Sequence, residues 1–156
     1  MQIRIFAVGQ RLPAWINQGV EEYQKRFPRE LNLSLSEIPA GRRSKSANPE
    51  KAMKEECDRI LDGLSPGTYL IVLDEHGRRQ KTNDLAGHMR NWMQEGRSIG
   101  LVIGGADGLH AELKKQANES WSLSDLTLPH GLARILLLEQ LYRAWTLINN
   151  HPYHRQ

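Results

Sequence analysis

Ile3, Ile5 and Ala7 share one side of an alternating segment that stops at Gly9, the two-residue period of a strand. From Pro13 to Phe27 the period becomes helical, with Trp15, Ile16, Val20, Tyr23 and Phe27 forming a stripe. Leu31, Leu33 and Leu35 alternate again and predict a second strand that stops before Pro39. The segment from Pro39 to Asn48 is basic, contains Gly41 and has no periodicity, so it reads as a mobile loop. Asn48 as N-cap and Pro49 at the first helical position then open a helix, whose apolar positions Ala52, Met53, Ile60 and Leu61 lead to Gly63.

Tyr69 to Leu73 is an unbroken apolar run ending at Asp74, the pattern of a central strand covered on both faces. A helix capped by Thr82 should run to Glu95, followed by a buried-type strand at Ile99 to Ile103 and a short helix at Leu109 to Glu119. Leu123 to Leu128 reads as a fifth strand or an extended loop, and beyond Pro129 a helix is predicted from about Ala133 to Asn149. Repeated β/α alternation in one domain spanning residues 1–156 implies an α/β fold, a mostly parallel sheet with helices on both faces. Such sheets bind ligands beyond the C-terminal ends of their strands, here Leu73-Asp74, Gly104-Gly105 and the loop around Leu128 to His130.

Composition narrows the class without changing this picture. With 39% hydrophobic and 25% charged residues the chain resembles an ordinary globule. No apolar run approaches bilayer length and Arg4 interrupts the first apolar segment, so no membrane contact and a cytoplasmic location are expected. Cys57 is the only cysteine, which excludes an internal disulfide and a thiolate metal cluster and suggests a small structural residue. The net charge of +3 decides little by itself. Three basic groups, Lys25/Arg26/Arg29, Arg42/Arg43/Lys45 and Arg78/Arg79/Lys81, are candidate phosphate contacts, although solvated basic faces are common in proteins that bind no nucleic acid.

Four segments carry candidate chemistry. Gly104-Gly105-Ala106-Asp107-Gly108 follows a strand and precedes a helix, so it is either a tight turn or a place where a nucleotide-like ligand meets backbone. It matches neither the dinucleotide fingerprint nor a P-loop, which disfavours a nucleotide-dependent flavodoxin-like enzyme. Ser120 to His130 interleaves hydroxyls with apolar residues, as a pocket wall or an edge strand would. The last helix is apolar around more than one face, which suggests an isologous dimer or a helix central to one domain; Glu139 and Arg143 upon it are spaced to pair on the surface. His151-Pro152-Tyr153-His154-Arg155 can bond or stack with a base, or is a frayed polar terminus; no third ligand points to a metal, and none is expected.

Gly-Gly-x-x-Gly after a strand, Leu-Thr-Leu-Pro-His, Arg-Ile-Leu-Leu-Leu-Glu-Gln-Leu-Tyr-Arg-Ala and Asn-His-Pro-Tyr-His occur here together with Ala7-Val8-Gly9, Tyr23-x-x-Arg26-Phe27-Pro28 and Glu37-Ile38-Pro39. Over essentially its whole length the sequence resembles the ribosomal RNA large subunit methyltransferase H family of the SPOUT superfamily. Ala106 and Gly131 stand where some of its members carry proline.

The resemblance implies a homodimer with a C-terminal trefoil knot, which topology rules alone would disfavour. It also implies S-adenosylmethionine-dependent methylation of N3 of a pseudouridine in large-subunit ribosomal RNA. The methyl donor is expected among Leu73, Gly104, Leu123, Ser124, Asp125, Leu126, Thr127 and Leu128. Methylating an imide nitrogen needs its proton removed, so His130 or His154 is the candidate acceptor, with Arg143 or Arg155 stabilising charge on the base carbonyls. Alternatively the protein only orients the imide and water takes the proton. Arg42, Arg43 and Lys45 are candidate RNA-backbone contacts and Tyr153 a stacking platform. The rival class is a ribosome-associated RNA-binding protein without catalysis, which has no need of a donor pocket.

Overall fold

The computed structural model describes residues 1–45 and 48–155. Positions 46 and 47 of the basic loop and residue 156 lie outside the described residues. Five strands form one sheet: β1 (Gln2–Val8), β2 (Leu33–Ile38), β3 (Tyr69–Arg79), β4 (Ser98–Ile103) and β5 (Glu119–Ser122). Their spatial order is β2-β1-β4-β3-β5 and every pairing is parallel. The helices are α1 (Ala14–Gln24), α2 (Pro49–Gly63), α3 (Thr82–Glu95), α4 (Ala111–Gln116) and α5 (His130–Ile148).

The strand period sorts side chains onto two cores. Ile3, Ile5 and Ala7 of β1 join Ile71, Ile99, Leu101 and Ile103 under α1, α3 and α5. Phe6 and Val8, with Val72 and Val102, face α2 and α4 instead. Helices therefore cover both faces, three on one and two on the other. Trp121 of β5 is fully buried, with the His88 ring 4.8 Å away and the Trp92 ring stacked at 6.0 Å.

Several element ends differ from the sequence pattern, each for a local reason. The strand expected to stop at Asp74 continues to Arg79. Leu73 and Arg78 both pair with Trp121, so residues 74–77 are pushed out of the ladder as a wide bulge. Gly77 permits it, because a Cβ there would lie 2.6 Å from the Trp121 carbonyl carbon. β5 comes earlier than Leu123 to Leu128, and the helix expected to reach Glu119 ends at Gln116. Asn118 accounts for both: it exchanges hydrogen bonds with both backbone groups of Leu70 at 2.8 Å and starts the pairing with β3. Lys81, not Thr82, caps α3, its N–H donating to Asp84 while the Thr82 hydroxyl donates to Gln140. α5 begins at His130 directly after Pro129, three residues before the expected start.

The start of α5 is tied to the end of β1 through Arg134, which is 2% exposed. Its guanidinium donates to the carbonyls of Val8 (3.2 Å) and Gly9 (2.8 Å) and to the Glu37 carboxylate on β2 (2.7 Å). Sequence reasoning did not single it out, since nothing in the pattern marks an arginine in a helical stripe as buried. Replacing it with leucine strands two carbonyls and a carboxylate without their donor, and Arg134→Leu is expected to cost about 3 kcal/mol of stability in urea unfolding. A loss under about 1 kcal/mol would mean that solvent takes over those contacts.

Candidate active site

The bulge of β3 and the C-terminal ends of β4 and β5 open together into a cleft of about 670 Å³. The bulge within β3 supplies Asp74, Glu75 and His76, the turn after β4 supplies residues 104–109, and the end of β5 with the segment after it supplies Ser122 to Ser124 and Leu126 to Pro129. His130 and Ala133 of α5 close one side and Lys114 of α4 the other.

The turn after β4 is closed by the Gly108 N–H donating to the Gly105 carbonyl, with Gly108 at φ +83°. A Cβ at Gly104 would sit 3.0 Å from the Gly108 carbonyl and the Leu109 side chain, and one at Gly105 would sit 2.8 Å from Val8. Neither position has room for a side chain, so backbone forms this part of the wall. The wall is also braced from outside. Arg43 donates to Asp107 of the turn (2.8 Å) and to Glu56 of α2 (2.7 Å), while the Gly41 N–H donates to the same Glu56 carboxylate. Glu56, 3% exposed, is thus the anchor of the basic loop. Hydrogen bonds from Arg43 to Glu56 and Asp107 raise its pKa further above the ordinary value, keeping it a permanent cation.

At the end of β5 the serine hydroxyls turn the chain at the edge of the cleft. The Ser122 hydroxyl donates to the Ser124 carbonyl at 3.0 Å, and the Ser124 hydroxyl accepts the Leu126 N–H at 2.9 Å. The result presents Leu126 with 76% of its surface exposed at the cleft, near the half-buried Leu73, Leu123 and Leu128. Asp74 accepts from the Lys114 ammonium at 3.0 Å and from the His76 N–H at 3.3 Å. Burial pushes its carboxyl up, but these two donors outweigh it and hold the pKa below the usual carboxylate value.

Residues 1–154 match the family described as "Predicted SPOUT methyltransferase". The chain belongs to the SPOUT methyltransferase family. It is 49% identical over 156 residues, all of both chains, to ribosomal RNA large subunit methyltransferase H of Methylobacillus flagellatus. It is also 49% identical to the protein of that name from Nitrosococcus oceani, over 99% of each. A crystal structure of a methylase family protein from Neisseria gonorrhoeae shares the fold at a TM-score of 0.55 and 16% identity, covering 90% of this chain and 81% of that one.

In this SPOUT methyltransferase the cleft gathers Leu73, Gly104, Leu123, Ser124, Leu126, Thr127, Leu128 and His130. Asp125 belongs to the same loop, but its carboxylate turns away to Arg79 at 2.8 Å. Arg143, Tyr153, His154 and Arg155 lie at the other end of α5, about 20 Å of helix from His130. Arg143 donates to Glu139 at 2.7 Å, and its guanidinium lies 5.0 Å from the Tyr153 ring. Tyr153 is not an open stacking platform. Its ring packs edge-on to Tyr142 at 4.8 Å, and its hydroxyl reaches Glu139 at 3.0 Å and Tyr23 at 3.4 Å. Burial, then the bonds to Tyr23 and Glu139, hold that phenol neutral well above its ordinary range.

Of the basic loop, Arg43 is committed to Glu56 and Asp107, whereas Arg42 and Lys45 are exposed. Cys57, His110 and Glu112 bring ligand-type atoms within 4.8 Å of one another, but His110 Nδ1 already accepts the Glu112 N–H and Lys54 holds the Glu112 carboxylate. Cys57 is buried in the core on the α2/α4 face, as a structural residue would be. Among the described residues no helix is long and apolar enough to cross a membrane. Sequence reasoning missed Glu75, His76 and Lys114 of the cleft, because they come from a bulge and from a helix whose orientation no pattern encodes.

Proposed function

We propose that the chain transfers a methyl group from S-adenosylmethionine to N3 of a pseudouridine in large-subunit ribosomal RNA, as a knotted homodimer in the cytoplasm. The observation that carries this is the cleft at the β3 bulge and the ends of β4 and β5, where peptide groups of the glycine turn and a lip of leucines converge. Such a mixture suits a nucleoside: leucines cover the flat ring while backbone donors and acceptors read its edge. Leu73, Gly104, Leu123, Ser124, Leu126, Thr127 and Leu128 would hold the donor, with Asp125 fixing the loop through Arg79. The relatives that match along their whole length are named for ribosomal RNA methylation, which favours that acceptor. The bound donor supplies an electrophilic methyl on a sulfonium.

The residues of the chain then have three tasks. His130 lines the cleft and is the acceptor for the imide proton, since imidazole exchanges protons near neutral pH. Arg143, Arg155 and His154 cannot reach the cleft of their own subunit along α5, so they act at the cleft of a second copy. Arg42 and Lys45 meet the RNA backbone, while Tyr153 must leave its contacts with Tyr142 and Glu139 to stack on a base. The dimer interface falls on α1 and α5, where Trp15 and Leu132 remain 57% and 40% exposed.

Methyl transfer to undermethylated ribosomes, followed by nucleoside mapping of the large-subunit RNA, tests the reaction. Stoichiometric label at N3 of one pseudouridine is expected; a folded dimer that binds ribosomes without transferring label contradicts it and leaves an RNA-binding module. Single-turnover rates across pH test the proton acceptor. His130→Ala should slow transfer at least about a hundredfold and change the shape of the pH–rate profile. An unchanged profile for both His130→Ala and His154→Ala would show that water takes the proton.

A further inference from the structure

We propose that Asp74 and Lys114 form the subsite for an amino-acid zwitterion, Asp74 receiving the α-ammonium and Lys114 the α-carboxylate of the methyl donor. The inference rests on the donor reading above and concerns the end of the cleft that the adenosine-type contacts leave unexplained.

Charge in the cleft is unevenly distributed. Among the described lining residues Lys114 is the only lysine or arginine, and Asp74 is the least exposed carboxylate, its side chain 16% exposed. The other two carboxylates are less suited. Asp107 is neutralised by Arg43, and Glu75 is 65% exposed beside His76. Among the described residues Asp74 and Lys114 are therefore the one lysine–carboxylate or arginine–carboxylate pair with both members at the cleft surface.

The pair also has unused capacity. Asp74 accepts one N–H on Oδ1, from His76, and one on Oδ2, from Lys114, which leaves a lone-pair direction on each oxygen. Lys114 has three N–H groups and spends one on Asp74. An α-ammonium and an α-carboxylate can thus add to the pair without breaking it. The four charges alternate in sign, and the site stays neutral whether empty or filled. An uncompensated carboxylate or ammonium in the same place would carry a desolvation penalty in the free protein, which the standing pair avoids.

Placement separates this end from the reacting end. Lys114 follows Leu113 of the core between the sheet and α2 and α4, whereas Ala133, one turn after His130, belongs to the opposite core. The zwitterion subsite therefore lies on the α4 side, and the α5 side, with His130, is left for the acceptor base.

Calorimetric titration with S-adenosylhomocysteine and with 5′-methylthioadenosine, which lacks the amino-acid group, tests the assignment. Lys114→Met and Asp74→Asn should each weaken S-adenosylhomocysteine about tenfold, as loss of one partly exposed charge-assisted contact implies, and leave methylthioadenosine within about twofold. Thermal melts of both variants establish that they are folded, and Lys114→Met, a change at a side chain 42% exposed, remains informative if Asp74→Asn unfolds. Equal weakening of the two ligands, or no weakening of either, overturns the subsite while leaving the donor cleft intact. A wild-type protein that binds neither ligand overturns the donor reading itself, and the subsite with it.

Discussion

A buried guanidinium at the joint between β1 and α5 holds the functional end of this fold together. Arg134 satisfies the last carbonyl of β1 and that of Gly9 at the point where the chain leaves the sheet, and it does so from the second turn of the helix that carries His130 and Ala133 into the cleft. Carbonyls at a strand end have no ladder partner, and burying them without a donor is costly. One side chain meets that need and fixes where α5 starts. Gly9, at φ +117°, turns the chain beside it, and a Cβ there would meet the same guanidinium at 3.4 Å.

The other walls follow the same logic of close backbone approach. Gly77 lets the strand after the bulge rejoin β5, so that residues 74–76 are thrown toward the cleft. Gly104 and Gly105 bring the turn after β4 against Leu109 and Val8. The wall is then braced through Arg43 by Glu56, a carboxylate buried in α2, which couples a loop that reads as mobile and basic to the geometry of the glycine turn. What looks like RNA-binding charge in the sequence is in part internal bracing.

The alternation in β1 and β2 and the unbroken apolar runs of β3 and β4 made the parallel α/β sheet legible, and the strand-end rule pointed to Leu73, Gly104 and the loop before His130, which line one cleft. Element ends were less legible, because they are decided by single hydrogen bonds such as those of Asn118 to Leu70, which leave no periodic trace. The surplus of apolar residues on α5 suggested either a dimer or a helix central to one domain; Leu137, Leu138 and Leu141 are fully buried within the chain, so much of that surplus is spent inside it. Spatial separation was invisible in the sequence: Tyr153 and Arg143 gather with Glu139 and Tyr23 at the far end of α5, away from the cleft. The trefoil knot rests on family likeness, since no local pattern encodes how a chain threads itself.

The central claim is that the glycine turn and the leucine-lined loop hold the methyl donor, and the most direct measurement is calorimetric titration of S-adenosylmethionine into the wild-type protein and Gly104→Val. A valine side chain begins with a Cβ already 3.0 Å from the Gly108 carbonyl and Leu109, so the turn must shift to admit it and its methyls, displacing the backbone at the cleft. Saturable binding to the wild type, weakened at least about tenfold in a variant that still melts cooperatively, is the predicted result. Equal affinity for both proteins, or none for a folded wild type, would contradict it.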